Sequence, residues 1–255
     1  MAARPPILFL HGAFGGAEVW RRFIAPWFAA RGHAVATPDL PGPGAPDRAR
    51  LRDYVAAARR AADALGGAPV VVGHSMVGFV AQHLAAERRL PGVVLAAAPG
   101  PAGLAPAFWR LAARPEVFAA LTLAQAGLGP MLGPEAARAA LFTEETPADW
   151  IRSVAPSPAP ESPLALADGM TWDLPLWPMA WGTPMLALCG DRDAFVPLSD
   201  LLAIQMSYGA EVAVLKGMAH GLPIDPRWKR LAWRIGAWME ERRVGETRRG
   251  ALPGG

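Results

Sequence analysis

The stretch Val70-Val71-Val72-Gly73-His74-Ser75-Met76-Val77-Gly78-Phe79-Val80-Ala81 constrains this chain more than any other. Three consecutive β-branched residues read as a short strand buried on both faces, since a strand with one wet face would alternate. Beyond Ser75, the residues Phe79, Val80, His83 and Leu84 among alanines read as a helix lying on a sheet. A serine on so abrupt a strand-to-helix turn is lifted to the carboxyl end of its strand with its hydroxyl exposed. The next backbone N–H points the same way from the first helical turn. That is how an activated nucleophile is presented.

The flanking sequence repeats the strand–helix rhythm. Ile7–Leu10 reads as a first strand, followed by the Gly-rich loop His11-Gly12-Ala13-Phe14-Gly15-Gly16. Residues 17–31 show apolar spacings of three and four, predicting one amphipathic helix bent or shortened at Pro26 and stopped at Gly32. His33–Thr37 is a second strand that runs into the turn-rich Pro38-Asp39-Leu40-Pro41-Gly42-Pro43-Gly44. Leu51–Leu65 is helical. A fourth strand covers Val93–Ala98, a fifth Met185–Gly190 and a sixth Glu211–Leu215. Helices are expected over Leu198–Tyr208 and residues 226–242. Such alternation with short connections calls for a mostly parallel sheet of about six strands with right-handed crossovers and helices on both faces.

The rhythm breaks between residues 100 and 183. No buried strand is evident there, and helical pieces are expected near 105–113, 115–127, 134–142 and 147–153. Pro156–Pro163 is too rich in proline for a helix and reads as a semi-rigid connector. Trp172, Trp177, Met179 and Trp181 follow, a density of apolar residues that suggests a cover over a hydrophobic cleft. The expected organisation is a core of residues 1–99 and 184–243, a helical cap of residues 100–183, and a flexible tail of residues 244–255.

Bulk properties narrow the partners. At 255 residues and 52% hydrophobic, the chain can bury one sizeable core. The lone Cys189, inside a predicted strand, excludes an intramolecular disulfide and any cysteine-based metal cluster. No histidines stand at metal-ligand spacing on one element, and His11–Gly16 lacks the Lys-Ser/Thr of a phosphate loop, so neither metal nor cofactor is expected. The net charge of +3 rests almost wholly on arginine, with no basic stripe interleaved with aromatics, which argues against nucleic-acid binding. No signal peptide or bilayer-spanning run is visible, so a cytoplasmic protein is expected; a homo-oligomer is compatible with the sequence.

Open parallel sheets bind ligands beyond the carboxyl ends of their strands. Reactive groups stand there after four predicted strands: His11–Phe14 after the first, Ser75 after the third, Asp193 with Asp191 after the fifth, and His220 after the sixth. The order nucleophile, acid, histidine is the one expected of this kind of sheet. Here the chain resembles the α/β-hydrolase superfamily, and in particular its serine-nucleophile esterases and lipases. The resemblance rests on His11-Gly12, Asp39-Leu40-Pro41-Gly42, Gly73-His74-Ser75-Met76, Gly190-Asp191-Arg192-Asp193 with Val196-Pro197, and Ala219-His220. It implies Ser75 as nucleophile, His220 as general base and Asp193, with Asp191 as the alternative, as the carboxylate that orients His220. It implies an oxyanion hole of the Met76 and Ala13 backbone N–H groups, with Phe14 the neighbouring candidate. Phe14, His74, Trp172, Trp177 and Trp181 are candidates for the substrate pocket. The elbow departs from the family pattern Gly-x-Ser-x-Gly at Val77, which is expected to face a small neighbour among Ala96–Ala98.

The implied activity is cofactor-free hydrolysis of a carboxylic ester or thioester with an apolar group, through an acyl-enzyme. C–C bond hydrolysis, lactone hydrolysis and a perhydrolase reaction remain open on the same three residues. So does a catalytically silent binding protein that keeps the fold.

Overall fold

The computed structural model describes residues 4–41 and 48–244, with the side chains of Thr171 and Trp172 left out. The end of the turn-rich loop after the second strand, the tail beyond Val244 and the Trp172 side chain therefore lie outside the described residues. The strands are β1 (Ile7–Leu10), β2 (Val35–Ala36), β3 (Val70–His74), β4 (Gly92–Ala96), β5 (Met185–Gly190) and β6 (Glu211–Leu215). They form one sheet in the order β2-β1-β3-β4-β5-β6, and every pairing is parallel.

Strand residues alternate between two cores, as a two-residue period requires. Leu8, Leu10, Val71, Val93 and Leu95 face one side; Ile7, Phe9, Val70, Val72 and Val94 face the other. The first side is covered by α3 (Leu51–Asp63), α4 (Gly78–Glu87) and α10 (Leu198–Tyr208). The second is covered by α1 (Glu18–Arg21), α2 (Ile24–Ala29) and α11 (Trp228–Glu241). With both faces covered, β1, β3, β4 and β5 are buried at every residue, which is why they read as unbroken apolar runs.

Two local expectations change. The helix predicted over residues 17–31 is two helices, and the break falls at Arg22–Phe23 rather than at Pro26. Pro26 is the third residue of α2, where its missing N–H forfeits no intrahelical bond. Strand β2 is two residues long instead of five; it is an edge strand paired only with β1.

Between β4 and β5 lie α5 (Ala105–Ala112), α6 (Pro115–Leu123), α7 (Pro134–Leu141), α8 (Ala148–Val154) and α9 (Pro163–Ala167). Four of these helices carry proline in the first turn, where its fixed φ suits the helix and its missing N–H is no loss. The segment is tied to the sheet layers at several points. The Arg50 guanidinium and the Leu51 N–H both donate to the Asp168 carboxylate. Burial pushes that carboxyl up, but these donors outweigh it and hold it below its ordinary value. Arg110 donates to the Phe195 carbonyl and to Asp200, and the Gly221 N–H to the Leu141 carbonyl. No helix among the described residues is long and apolar enough to cross a membrane.

Candidate active site

The sheet order places the site. The chain leaves β1 towards β2 on one side and leaves β3 towards β4 on the other, so a crevice opens where these two loops part. Three of the four non-glycine residues with left-handed backbone among the described residues lie on this edge: Phe14 (φ 61°), Ser75 (φ 54°) and Ala97 (φ 49°). Such φ values cost energy in L-residues and persist only where the surroundings enforce them.

Enforcement at Ser75 comes from close approach. A methyl group on Gly78 would come within 2.2 Å of the Ala98 Cβ, and one on Gly73 within 2.7 Å of the Gly78 Cα. It is therefore Gly78, not Val77, that meets the small residues after β4, while Val77 is buried in the core on the α3 and α4 side. Gly12 is equally confined, with His74 Nδ1 and Ser75 Cβ each 3.0 Å from the place its Cβ would occupy. This lets the loop after β1 approach the elbow.

The structure brings Ser75, His220 and Asp193 together. The Ser75 Oγ and His220 Nε2 are 2.8 Å apart. The His220 Nδ1 is 3.0 Å from each Asp193 oxygen. The Asp193 side chain is fully buried, and its Oδ1 also accepts the Phe195 and Val196 N–H groups at 2.8 and 3.0 Å. Those donors suit an ionised carboxylate and fix its rotamer. Asp191 is exposed and accepts the Gly217 N–H, so it braces the turn after β6 instead of meeting His220. The Phe195 ring stacks on His220 with centroids 4.4 Å apart. His74 is 2.9 Å through Nε2 from the His220 carbonyl, which fixes a protonated Nε2 on His74 as donor. Burial, with the nearby His220 second, pushes the His74 pKa down to about 3, so the ring is neutral. His11 is structural: its Nε2 accepts the Leu40 N–H and its Nδ1 lies 2.9 Å from the Gly12 carbonyl.

Of the candidate oxyanion donors, the Phe14 N–H is already given to Glu161 Oε2 at 3.2 Å. Neither the Ala13 nor the Met76 N–H has an acceptor among the described residues, and both residues line the cavity beside Ser75.

That cavity, about 1150 Å³, lies between the sheet edge and the segment joining β4 to β5. Phe14 and His74 line it, as do Phe108, Leu111, Phe118 and several alanines. Trp177 and Trp181 do not: they lie on the flank, where residues 177–180 pack on α4 and α10 and the Trp181 indole donates to the Ser207 carbonyl. The expectation that these tryptophans face the cleft is corrected accordingly. Sequence reasoning missed Phe195, which carries no motif signal, and Glu161, whose signal was available as the single charge in a proline-rich run.

A parallel sheet with these edge loops and a serine elbow defines an α/β-hydrolase type of protein. The chain belongs to the alpha/beta hydrolase family, whose model matches residues 7–232. No curated protein matches it in sequence. Among solved structures it is similar to a thermophilic esterase from Thermogutta terrifontis, with a TM-score of 0.72 and 23% identity over 94% of this chain and 91% of that one. It is similar to a carboxylesterase of the thaumarchaeon Nitrososphaera gargenis, with a TM-score of 0.71 and 17% identity over 94% and 92%. It is also similar to the pyrethroid hydrolase PytH, with a TM-score of 0.68 and 20% identity over 92% and 98%.

Proposed function

We propose that this hydrolase-family protein cleaves a carboxylic ester or thioester carrying an apolar group, through an acyl-enzyme on Ser75. The observation that carries this reading is the continuous Ser75–His220–Asp193 hydrogen-bonded chain at the floor of a largely apolar cavity. His220 Nε2 takes the Ser75 proton as Oγ attacks the carbonyl carbon, and Asp193 stabilises the imidazolium that forms. The Ala13 and Met76 N–H groups receive the developing oxyanion. His220 returns the proton to the leaving oxygen or sulfur, and water then repeats the sequence on the acyl-enzyme. In this reading the helices between β4 and β5 act as the cap.

The wall supports an apolar substrate. Two of its polar side chains are already committed, Gln125 to the Glu161 backbone and His74 to the His220 carbonyl. A charged or hydroxylated substituent would lose water against a wall made mostly of Ala, Leu, Phe and Pro side chains and gain few partners in return. The structural neighbours named for esterase and pyrethroid hydrolase activity are in keeping with this reading.

p-Nitrophenyl esters of graded acyl length test the proposal. Wild type is expected to prefer the longer acyl chains in kcat/KM. Ser75→Ala is expected to lower kcat by about 10⁴- to 10⁶-fold and to abolish labelling by a fluorophosphonate. Equal turnover in the two proteins overturns the reading.

A further inference from the structure

Glu161 is the one charged residue of the proline-rich connector between α8 and α9, yet it is 2% exposed. Nothing in hydrolytic chemistry as described above uses it. Its surroundings are built on every side. The Phe14 N–H donates to Oε2 at 3.2 Å, the Ser162 N–H to Oε1 at 3.0 Å, and the Tyr54 hydroxyl, from the buried face of α3, also to Oε1. Three donors and no acceptor suit the ionised, acceptor-only form of the side chain. The Glu161 backbone is gripped from the other direction: Gln125 Oε1 accepts its N–H at 3.1 Å, and Gln125 Nε2 donates to its carbonyl at 2.7 Å. Two residues earlier, the Ala159 N–H donates to the Phe14 carbonyl at 3.1 Å.

Both polar groups of the Phe14 backbone are thus held by the connector. Phe14 is the residue with φ 61° in the loop after β1, a conformation costly for an aromatic side chain. The Phe14 N–H belongs to the peptide that starts at the Ala13 carbonyl. Holding that N–H fixes one of the two peptide planes that meet at the Ala13 Cα, and so narrows, through the Ala13 φ and ψ, the directions open to the Ala13 N–H in the other plane. A free Phe14 could relax to negative φ and swing the Ala13 N–H away from Ser75.

From this geometry we infer that Glu161, backed by Tyr54, is a positioning residue for the oxyanion hole: the connector sets the donor loop through one buried carboxylate. The inference rests on the serine-hydrolase reading. It makes catalytic competence depend on the docking of the segment between β4 and β5, since that segment supplies Glu161.

The test compares wild type, Glu161→Gln and Tyr54→Phe by ester kinetics and by inhibition with an alkylboronic acid, whose tetrahedral adduct on serine places an oxygen in the hole. Loss of a hole donor outright costs about 10²- to 10³-fold; a misdirected one is expected to cost less. Glu161→Gln is expected to lower kcat by about 10- to 100-fold with KM within about threefold, and to weaken the boronate by the same factor as kcat/KM. Tyr54→Phe is expected to show a smaller loss of the same pattern. Thermal melts establish that each variant is folded; if Glu161→Gln is not, Tyr54→Phe carries the test alone. Unchanged boronate affinity in a folded variant overturns the inference, as does a loss confined to KM. Failure of the underlying reading looks different, since wild type itself would then neither turn over esters nor bind the boronate.

Discussion

Two carboxylates two positions apart, Asp191 and Asp193, could each have served His220, and their surroundings separate them. Asp193 is buried and held by two backbone N–H groups, while Asp191 is exposed and committed to Gly217. Removing the charge that orients the imidazole has cost about 10⁴-fold in kcat where it has been done in a Ser-His-Asp site. Asp193→Asn is therefore expected to lower kcat by several orders of magnitude, whereas Asp191→Asn leaves it within a few-fold. Stopped assays with a single p-nitrophenyl ester distinguish them, and a larger loss at position 191 would reverse the assignment. The sequence placed both residues on the right loop. The family resemblance favours Asp193 and keeps Asp191 as the alternative; the physical ground, which side chain the turn rotates inward, is legible only in the fold.

At the scale of elements, the elbow between β3 and α4 is held by contacts shorter than any side chain allows. Gly78→Ala gains helix propensity but forces a methyl group to within 2.2 Å of Ala98 Cβ. Overpacking of this kind costs about 1–3 kcal/mol, so the melting temperature is expected to fall. Adding Ala98→Gly should restore part of the loss, a coupling readable in a double-mutant cycle. No recovery in the double variant would place the strain elsewhere. The strands and the elbow were legible because β-branched runs and a serine between glycines leave strong local signals. The cavity was not. Its volume arises from small residues such as Ala120, Ala124, Ala136 and Ala140, and small residues have no periodicity that announces empty space. Trp177 and Trp181 drew attention by size and proved to lie on the flank, because hydrophobicity alone does not say which side of a segment faces the cleft.

For the whole molecule, the buried neutral His74 links stability to pH. Above about 6.5 neither the folded nor the unfolded chain protonates it. Between that value and about 3 the unfolded chain takes up a proton that the folded chain refuses. Stability therefore falls as pH falls through that window and levels off below it. The expected loss between neutrality and about pH 5 is on the order of 2 kcal/mol. His33, also held down chiefly by burial, adds with the same sign. Denaturant titrations at neutral and acid pH measure the slope; His74→Gln, which keeps a donor for the His220 carbonyl, is expected to flatten it. Parallel slopes in the two proteins would refute this account.

The strands β4 and β5 are direct neighbours in the sheet, although the whole of α5 to α9 intervenes between them in the chain. Entropically, such an excursion is cheap to resize, because each doubling of a flexible loop raises its closure cost by only about 0.6 kcal/mol. The sheet and its edge loops can therefore persist while the intervening segment is replaced and a different cavity installed. What a replacement must still provide is an acceptor for the Phe14 N–H.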